Sequence, residues 1–243
     1  MHKTYFNWSS GKDSALALYH LLHQSEYQIT TLLTTVNKEY ERVSMHGLRE
    51  ELLDQQAASL GLLLQKVYFP AQVSMESYNS VMETTVRGLQ QEGNTHCVFG
   101  DIFLEDLRVY REKQLDTIGI QGIFPLWKKD TQQLLQEFLD LGFKAITVCV
   151  NAKYLDQSFC GRVLDQQFLA DLPDTVDPCG ENGEFHTFVF DGPIFKEPIA
   201  FEIGEKVLRH YEPSDDDDRC FTDDDTEKNW DTAFWYCDLV PKL

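Results

Sequence analysis

The sequence predicts an α/β protein built on a parallel sheet with helices on both faces. Across the first half, short β-rich runs alternate with stretches whose apolar residues recur at helical spacing. A small-residue loop, Ser9-Ser10-Gly11-Lys12-Asp13-Ser14, joins the first such run to the first such helix. In sheets of this kind ligands collect at the carboxyl ends of the strands, where that loop lies.

Thr4-Tyr5-Phe6 reads as the end of the first strand, and Ala15, Leu16, Leu18, Tyr19 and Leu22 mark one helix face after the loop. Ile29 to Val36 is a β-rich run, and Met45 to Leu60 carries a helical pattern that stops at Gly61. Leu63 to Phe69 is a strand ended by Pro70, Ser74 to Gln91 a helix, His96 to Gly100 a short buried strand, and Glu105 to Ile118 a helix. Two glycines and a proline between Gly119 and Trp127 suggest a domain boundary, giving domains of 1–127 and 128–243. Beyond it come a helix (Thr131 to Leu141), a strand (Ala145 to Val150), a helix from about Gly161 to Leu169, and an aromatic strand from Phe188 to Phe190. Lys206 to Tyr211 and Thr232 to Leu239 form a hairpin around an acidic stretch at about 212–231, which reads as a solvated loop.

Composition narrows the function. The 243 residues carry a net charge of −19, of which −8 falls between Glu212 and Asp231. The remainder is acidic too, which argues against a large nucleic-acid footprint, since phosphate backbones need a basic face. The six cysteines include no C-x-x-C pair and match no zinc spacing, and Cys97 and Cys149 sit in apolar runs as reduced core residues. No apolar run is long enough to span a membrane and no secretory leader is seen, so a soluble, cytoplasmic protein is expected.

Four segments carry candidate chemistry. The first is the 9–14 loop, where backbone N–H groups and a helix N-terminus can converge on phosphate. It is not a Walker A loop, because Asp13 follows Lys12 and no glycine lies five residues before Gly11. Taken alone, it could also be an N-cap in which Ser9 or Ser10 satisfies free amides, the lesser of the two readings. The second is Gly100-Asp101-Ile102, leading to Arg108, Arg111 and Glu112 on one helix; by itself that helix reads as a surface ion-pair ladder. The third is Phe124-Pro125-Leu126-Trp127. The fourth, Gly180-Glu181-Asn182-Gly183-Glu184-Phe185-His186-Thr187, combines two glycines with two acids and an imidazole, and alone could be a hairpin turn.

The loop resembles Ser-Gly-Gly-x-Asp-Ser, the pyrophosphate loop of the N-type ATP pyrophosphatases, with Ser10 where the second residue is usually glycine. Together with Met45-His46 and the turn Asp191-Gly192-Pro193-Ile194-Phe195, the segments resemble the diphthine–ammonia ligase family in that superfamily. The resemblance implies a Rossmann-like domain of the PP-loop ATPase type, a smaller C-terminal α+β domain, and a site in the cleft between them. It implies ATP and Mg2+ as cofactors, a carboxylate substrate and ammonia as partners, and a reaction in which adenylation releases pyrophosphate and ammonia then displaces AMP. By this resemblance Ser9, Ser10, Gly11, Lys12, Asp13 and Ser14 hold the triphosphate, with Asp13 at the metal. Gly100 and Asp101 close the nucleotide side, and the Leu33-Thr34-Thr35 strand end reads adenine. His46, Arg111, Glu112, Gly180, Glu181, Asn182, Gly183, Glu184, His186 and Thr187 line the substrate side, where Glu184 could hold ammonium or take its proton. Lys12 and Asp13 join Glu184 as the catalytic set.

Two departures stand out. The family block reads Gly-Glu-x-Gly-Glu-aromatic-Glu-Thr, whereas this chain has His186 in the second-to-last place, which bears on an acceptor carrying a trimethylammonium group. The sequence also shows none of the further C-terminal domains of the eukaryotic ligases, and no glutaminase-like segment, so ammonia is expected free or from a partner. A non-catalytic ATP- or AMP-binding sensor is the alternative, a tRNA-modifying enzyme is disfavoured by charge, and assembly as a homo-oligomer stays open.

Overall fold

The structure, a computed structural model, describes residues 1–44, 46–210 and 233–242. Met45, Cys220 and the acidic stretch at 212–231 lie outside the described residues, so the readings placed on them are not carried further.

The first sheet contains β1 (His2–Asn7), β2 (Tyr27–Asn37), β3 (Arg42–Val43), β4 (Leu63–Phe69), β5 (His96–Val98) and β6 (Gln121–Ile123). β1 pairs in parallel with β2 and β5, β2 with β4, and β5 with β6; β3 alone is antiparallel, against the end of β2. Across the parallel strands the order is therefore β4-β2-β1-β5-β6. The chain builds outward from β1 through β2 to β4, then crosses back to β5. The reversal falls between β1 and β5, and the crevice beyond their carboxyl ends is where a ligand fits.

Five helices connect or follow these strands: α1 (Lys12–Leu22), α2 (Glu50–Leu60), α3 (Met75–Gln91), α4 (Glu105–Asp116) and α5 (Thr131–Asp140). Their ends follow local chemistry. Ser74 and Asp130 accept from the amides three residues on, and Gly61 ends α2 in the left-handed conformation at φ 70°. Alternating side chains of β1 enter different cores, Phe6 with α1 and α2, Tyr5 with α3 and α4.

The second sheet is antiparallel, in the order β8-β7-β10-β9, from β7 (Lys144–Asn151), β8 (Phe185–Asp191), β9 (Phe201–His210) and β10 (Ala233–Pro241), with the short α6 (Gln166–Asp171) before β8. Its apolar face, with Ile146, Val148, Val150 and Phe188, joins the same continuous core as Phe6, Leu16 and Leu52. The two sheets are thus packed through one core rather than tethered by a linker.

Several element boundaries differ from the sequence reading. The helical pattern from Met45 begins as helix only at Glu50, because Arg42 and Arg49 close a tight backbone bridge around the intervening residues. Gln121–Ile123 is a strand within the segment read as a boundary, too short for a periodic signal. The helix placed from Gly161 starts at Gln166, where Asp165 caps the amide of Phe168.

Candidate active site

The 9–14 loop leaves β1 at the switch point. The N-cap of α1 is Gly11, with no side-chain cap, so serine capping does not explain the loop. Ser9 Oγ instead meets Ser14 Oγ at 2.8 Å and accepts from the Gly11 amide at 3.3 Å. Ser10 is fully buried in the left-handed region at φ 71°, which a non-glycine residue adopts at a cost of about 1–2 kcal/mol. Its hydroxyl has no hydrogen-bond partner.

A residue the sequence did not single out holds this turn. Gln56 of α2 is fully buried; its Nε2 donates to Ser10 O at 3.1 Å and Val189 O at 2.7 Å. Its Oε1 accepts from the Trp8 indole at 2.7 Å. The Val189 amide of β8 donates to the same Ser10 carbonyl at 3.0 Å, and the Lys12 amide to Thr187 Oγ1 at 3.0 Å. The phosphate loop is therefore clasped by the edge of the second sheet. A glutamine in an amphipathic helix gives no sequence signal of such a role.

Lys12 and Asp13 face the segment before β8. Lys12 is 4% exposed, and its ammonium donates to both Asp13 oxygens, at 2.9 and 2.7 Å, and to the Cys179 carbonyl. Burial opposes its charge, but Asp13, Cys179 and Glu181 outweigh that and hold the lysine pKa above its usual value. Asp13 is raised by burial against the lowering effect of Lys12, with Asp177 adding to the rise.

Gly100 and Asp101 come from the end of β5, across the switch point. A Cβ on Gly100 would lie 3.0 Å from the Ser14 amide nitrogen and 3.1 Å from the Asp13 carbonyl carbon, so any side chain there would crowd the first turn of α1. Asp101 Oδ2 is buried without a hydrogen bond, although Arg111 lies 3.3 Å away. Burial raises its pKa, Arg111 opposes, and Asp13 adds to the rise. Glu181 bridges the two halves: its Oε1 accepts from Ile102 N at 2.7 Å and Phe103 N at 3.4 Å. Burial and then the Asp13 charge push its carboxyl up to about 7. Asp13, Asp101 and Glu181 thus form an acidic group that lacks enough fixed positive charge.

That imbalance fits a magnesium nucleotide. Magnesium is usually held by one or two carboxylates with phosphates and waters supplying the rest, rather than by a full protein cage. Asp13 and the Asp101 oxygen that lacks a hydrogen bond would be the donors here.

His46 and His186 meet at the edge of the loop. Their rings lie 4.7 Å apart at 33°, His46 Nδ1 is 3.4 Å from Thr187 O, and a Cβ on Gly11 would sit 3.3 Å from the His46 ring. Burial, with the neighbouring imidazole and Lys12, lowers His46 to about 3; burial and Lys12 lower His186 to about 4. Both rings are neutral at pH 7.

Other expected residues are placed differently. Thr34 and Thr35 do not end a strand, because β2 continues to Asn37; Thr34 Oγ1 donates to Trp8 O at 2.8 Å. Leu33 O and Thr35 O already accept from Trp8 N and Ser44 N, leaving little of this backbone to read a base. Glu184 is 2% exposed, and its carboxylate is taken up by Asp177 N, Asn182 N and Asn182 Nδ2 at 2.9–3.1 Å. It ties the 177–184 turn together and is not free to handle ammonium. Glu112 pairs with Arg108 at 2.8 Å and lines an open hollow with Val109, Lys113, Asp116 and Thr117, away from the loop. Arg111 reaches the site only through Asp101, its guanidinium lying on the Phe99 ring. Gly180 and Gly183, at φ 69° and 84°, shape the turn rather than present groups.

A phosphate-type loop at the switch point of a Rossmann-like sheet, clasped by a second sheet, defines a nucleotide-binding α/β protein. Residues 2–122 match the model of the diphthamide synthase N-terminal domain, and residues 130–240 that of the diphthamide synthase C-terminal domain. The chain belongs to the diphthamide synthase family. It is 34% identical over 113 residues to the diphthine–ammonia ligase of Bos taurus, covering 44% of this chain and 42% of that one. With the diphthine–ammonia ligase of Homo sapiens it shares 32% over 114 residues, 45% of this chain and 43% of the relative. The matches thus span less than half the length of these relatives. A solved structure described as a predicted subunit of tRNA methyltransferase from Methanocaldococcus jannaschii aligns with a TM-score of 0.40 at 18% identity, over 59% of this chain and 77% of that one. No helix among the described residues is long and apolar enough to cross a membrane.

Proposed function

We propose that this chain is an ATP-dependent amide ligase that adenylates a carboxylate, releases pyrophosphate, and passes the acyl group to ammonia. The observation that carries it is the phosphate loop at the β1/β5 switch point facing the Asp13, Asp101 and Glu181 carboxylates. Family membership and the names of the relatives support it.

In this reading the Ser9–Ser14 loop holds the triphosphate, with the α1 N-terminus aimed at its charge. Asp13 and Asp101 would hold magnesium, which would supply positive charge to the phosphates. Lys12 adds a fixed positive charge beside Asp13 and keeps the 177–184 segment against the loop. A carboxylate is a poor electrophile toward ammonia, and making AMP its leaving group removes that barrier. The chain's task is to hold the carboxylate oxygen in line with the α-phosphorus while water is excluded.

Glu181 takes the acid–base role that the sequence suggested for Glu184. With a carboxyl near 7 it can accept the proton that ammonium must lose before its nitrogen attacks. His46 and His186 face the acceptor, with Thr187 beside them.

The test is product analysis of ATP turnover with magnesium, ammonium and fractionated cell extract as the acceptor source. AMP and pyrophosphate, with their formation lost in Asp13→Ala, are expected. ADP and phosphate, or ATP binding without turnover on any fraction, would overturn the ligase reading.

A further inference from the structure

His46 stands at the tip of a short excursion between β2 and α2, with Val43 and Leu48 buried in the core on either side of it. Its backbone closes on itself: Arg42 bridges to Arg49, Val43 N donates to Leu48 O at 2.8 Å, and Gly47 N to Val43 O at 3.0 Å. That closure sets two guanidinium groups side by side at the base of the excursion, where they repel unless an anion lies between them.

The anion comes from the far end of the chain. Asp238 on β10 accepts from Arg42 NH1 at 2.9 Å and from Arg49 Nε at 3.0 Å through one oxygen, and from Arg49 NH2 at 2.7 Å through the other. The same Arg42 NH1 also donates to Gly47 O at 2.8 Å, next to His46. Gly47 has φ 67°, and a Cβ there would fall 2.9 Å from the Tyr236 ring, so β10 also presses directly on the excursion.

We propose that Asp238 is a positioning residue, which fixes the 42–49 excursion so that His46 stays packed against His186 beside the phosphate loop. A bidentate carboxylate clamp on two arginines has the geometric stiffness this requires, where a single lysine pair would not. The last strand thereby shapes a site whose other parts lie between residues 9 and 187.

The proposal rests on the assignment of His46 to the acceptor side only for its catalytic meaning; its geometry is testable without turnover. The measurement is an NMR pH titration of the His46 imidazole in the full chain. The groups facing His46 are His186, the Thr187 carbonyl and, through space, Lys12. In the wild type His46 stays neutral down to about pH 3, with shifts displaced by the His186 ring. In Asp238→Asn the ring-current displacement is lost and His46 titrates near its ordinary value, about 6.5. Asp238→Glu restores much of the wild-type behaviour, and Lys66→Met, which breaks the Glu50 and Asp54 ion pairs elsewhere on α2, leaves His46 unchanged. If Asp238→Asn does not fold, Arg49→Gln, which leaves the Arg42 contact, replaces it and gives a partial shift. An unchanged His46 titration in a folded variant would overturn the proposal. Binding of inorganic pyrophosphate, measured alongside, is unaffected by Asp238→Asn; its absence in the wild type would count against the ligase reading while leaving the Asp238 result intact.

Discussion

Gln56→Met tests how the phosphate loop is held. Methionine keeps nearly the same volume but removes the amide. The substitution strands the Trp8 indole N–H and deprives Val189 O of its side-chain donor, while Ser10 O keeps the Val189 amide. A buried polar group left without a partner costs roughly 1–3 kcal/mol. Two of them give about 2–6 kcal/mol, and the retained apolar volume favours the lower half, near 3 kcal/mol. For a chain of this length 1 kcal/mol moves Tm by about 2–4 °C, so a fall of about 6–12 °C is expected. The assay is thermal unfolding with and without inorganic pyrophosphate. Pyrophosphate raises Tm of the wild type by mass action, and the rise shrinks in the variant, because Ser10 loses one of the two bonds that hold its left-handed turn. A loss below about 1 kcal/mol with an undiminished pyrophosphate shift would show that the amide does not hold the loop.

Two further outcomes follow from the same geometry. Ser10→Gly removes both a left-handed serine and an unpartnered hydroxyl; offset by the greater freedom of the unfolded chain, it stabilises the ligand-free protein by about 1 kcal/mol in denaturant unfolding, and destabilisation by that amount would show that the hydroxyl is bonded. Glu181 has a raised carboxyl, so the folded state favours its protonated form: the associated stability is complete below the ordinary glutamate value, about 4.5, and is lost as pH rises through about 7. Glu181→Gln therefore flattens the fall in unfolding free energy across that window, and a slope equal to the wild type's would assign it to other groups.

How much of this was legible in the sequence depends on how local each signal is. The alternation of strands and helices, and the position of the loop after β1, are written in periodicity and in small residues, so the parallel sheet could be read directly, whereas the strand order and its switch point could not. Leu63–Phe69 was placed to the residue because a proline and a glycine bracket it. The antiparallel second sheet was less legible, since β7 pairs with β8 across 35 or more residues, as in Phe185 with Val150, and with β10 across still more.

The site divides along the same line. Residues that act through backbone shape, Gly11, Ser10 and Gly100, announce themselves in the loop sequences. Residues whose role depends on what folds against them do not. Glu184 and Glu181 look equivalent on paper, three apart in one glycine-rich turn. The turn folds so that its own amides consume Glu184, while Glu181 points across the crevice to the amides of Ile102 and Phe103 and faces Asp13. Gln56 and Asp238 carry no motif, because a glutamine in a helix and an aspartate in a strand each gain meaning only from distant partners. The difference between the two glutamates is a difference in unpaired charge. A carboxylate whose bonds are complete has nothing left for a substrate; one held by two amides among other carboxylates keeps both a proton near neutrality and an oxygen to use it. In a nucleotide-binding crevice that is the group in which to look for acid–base chemistry.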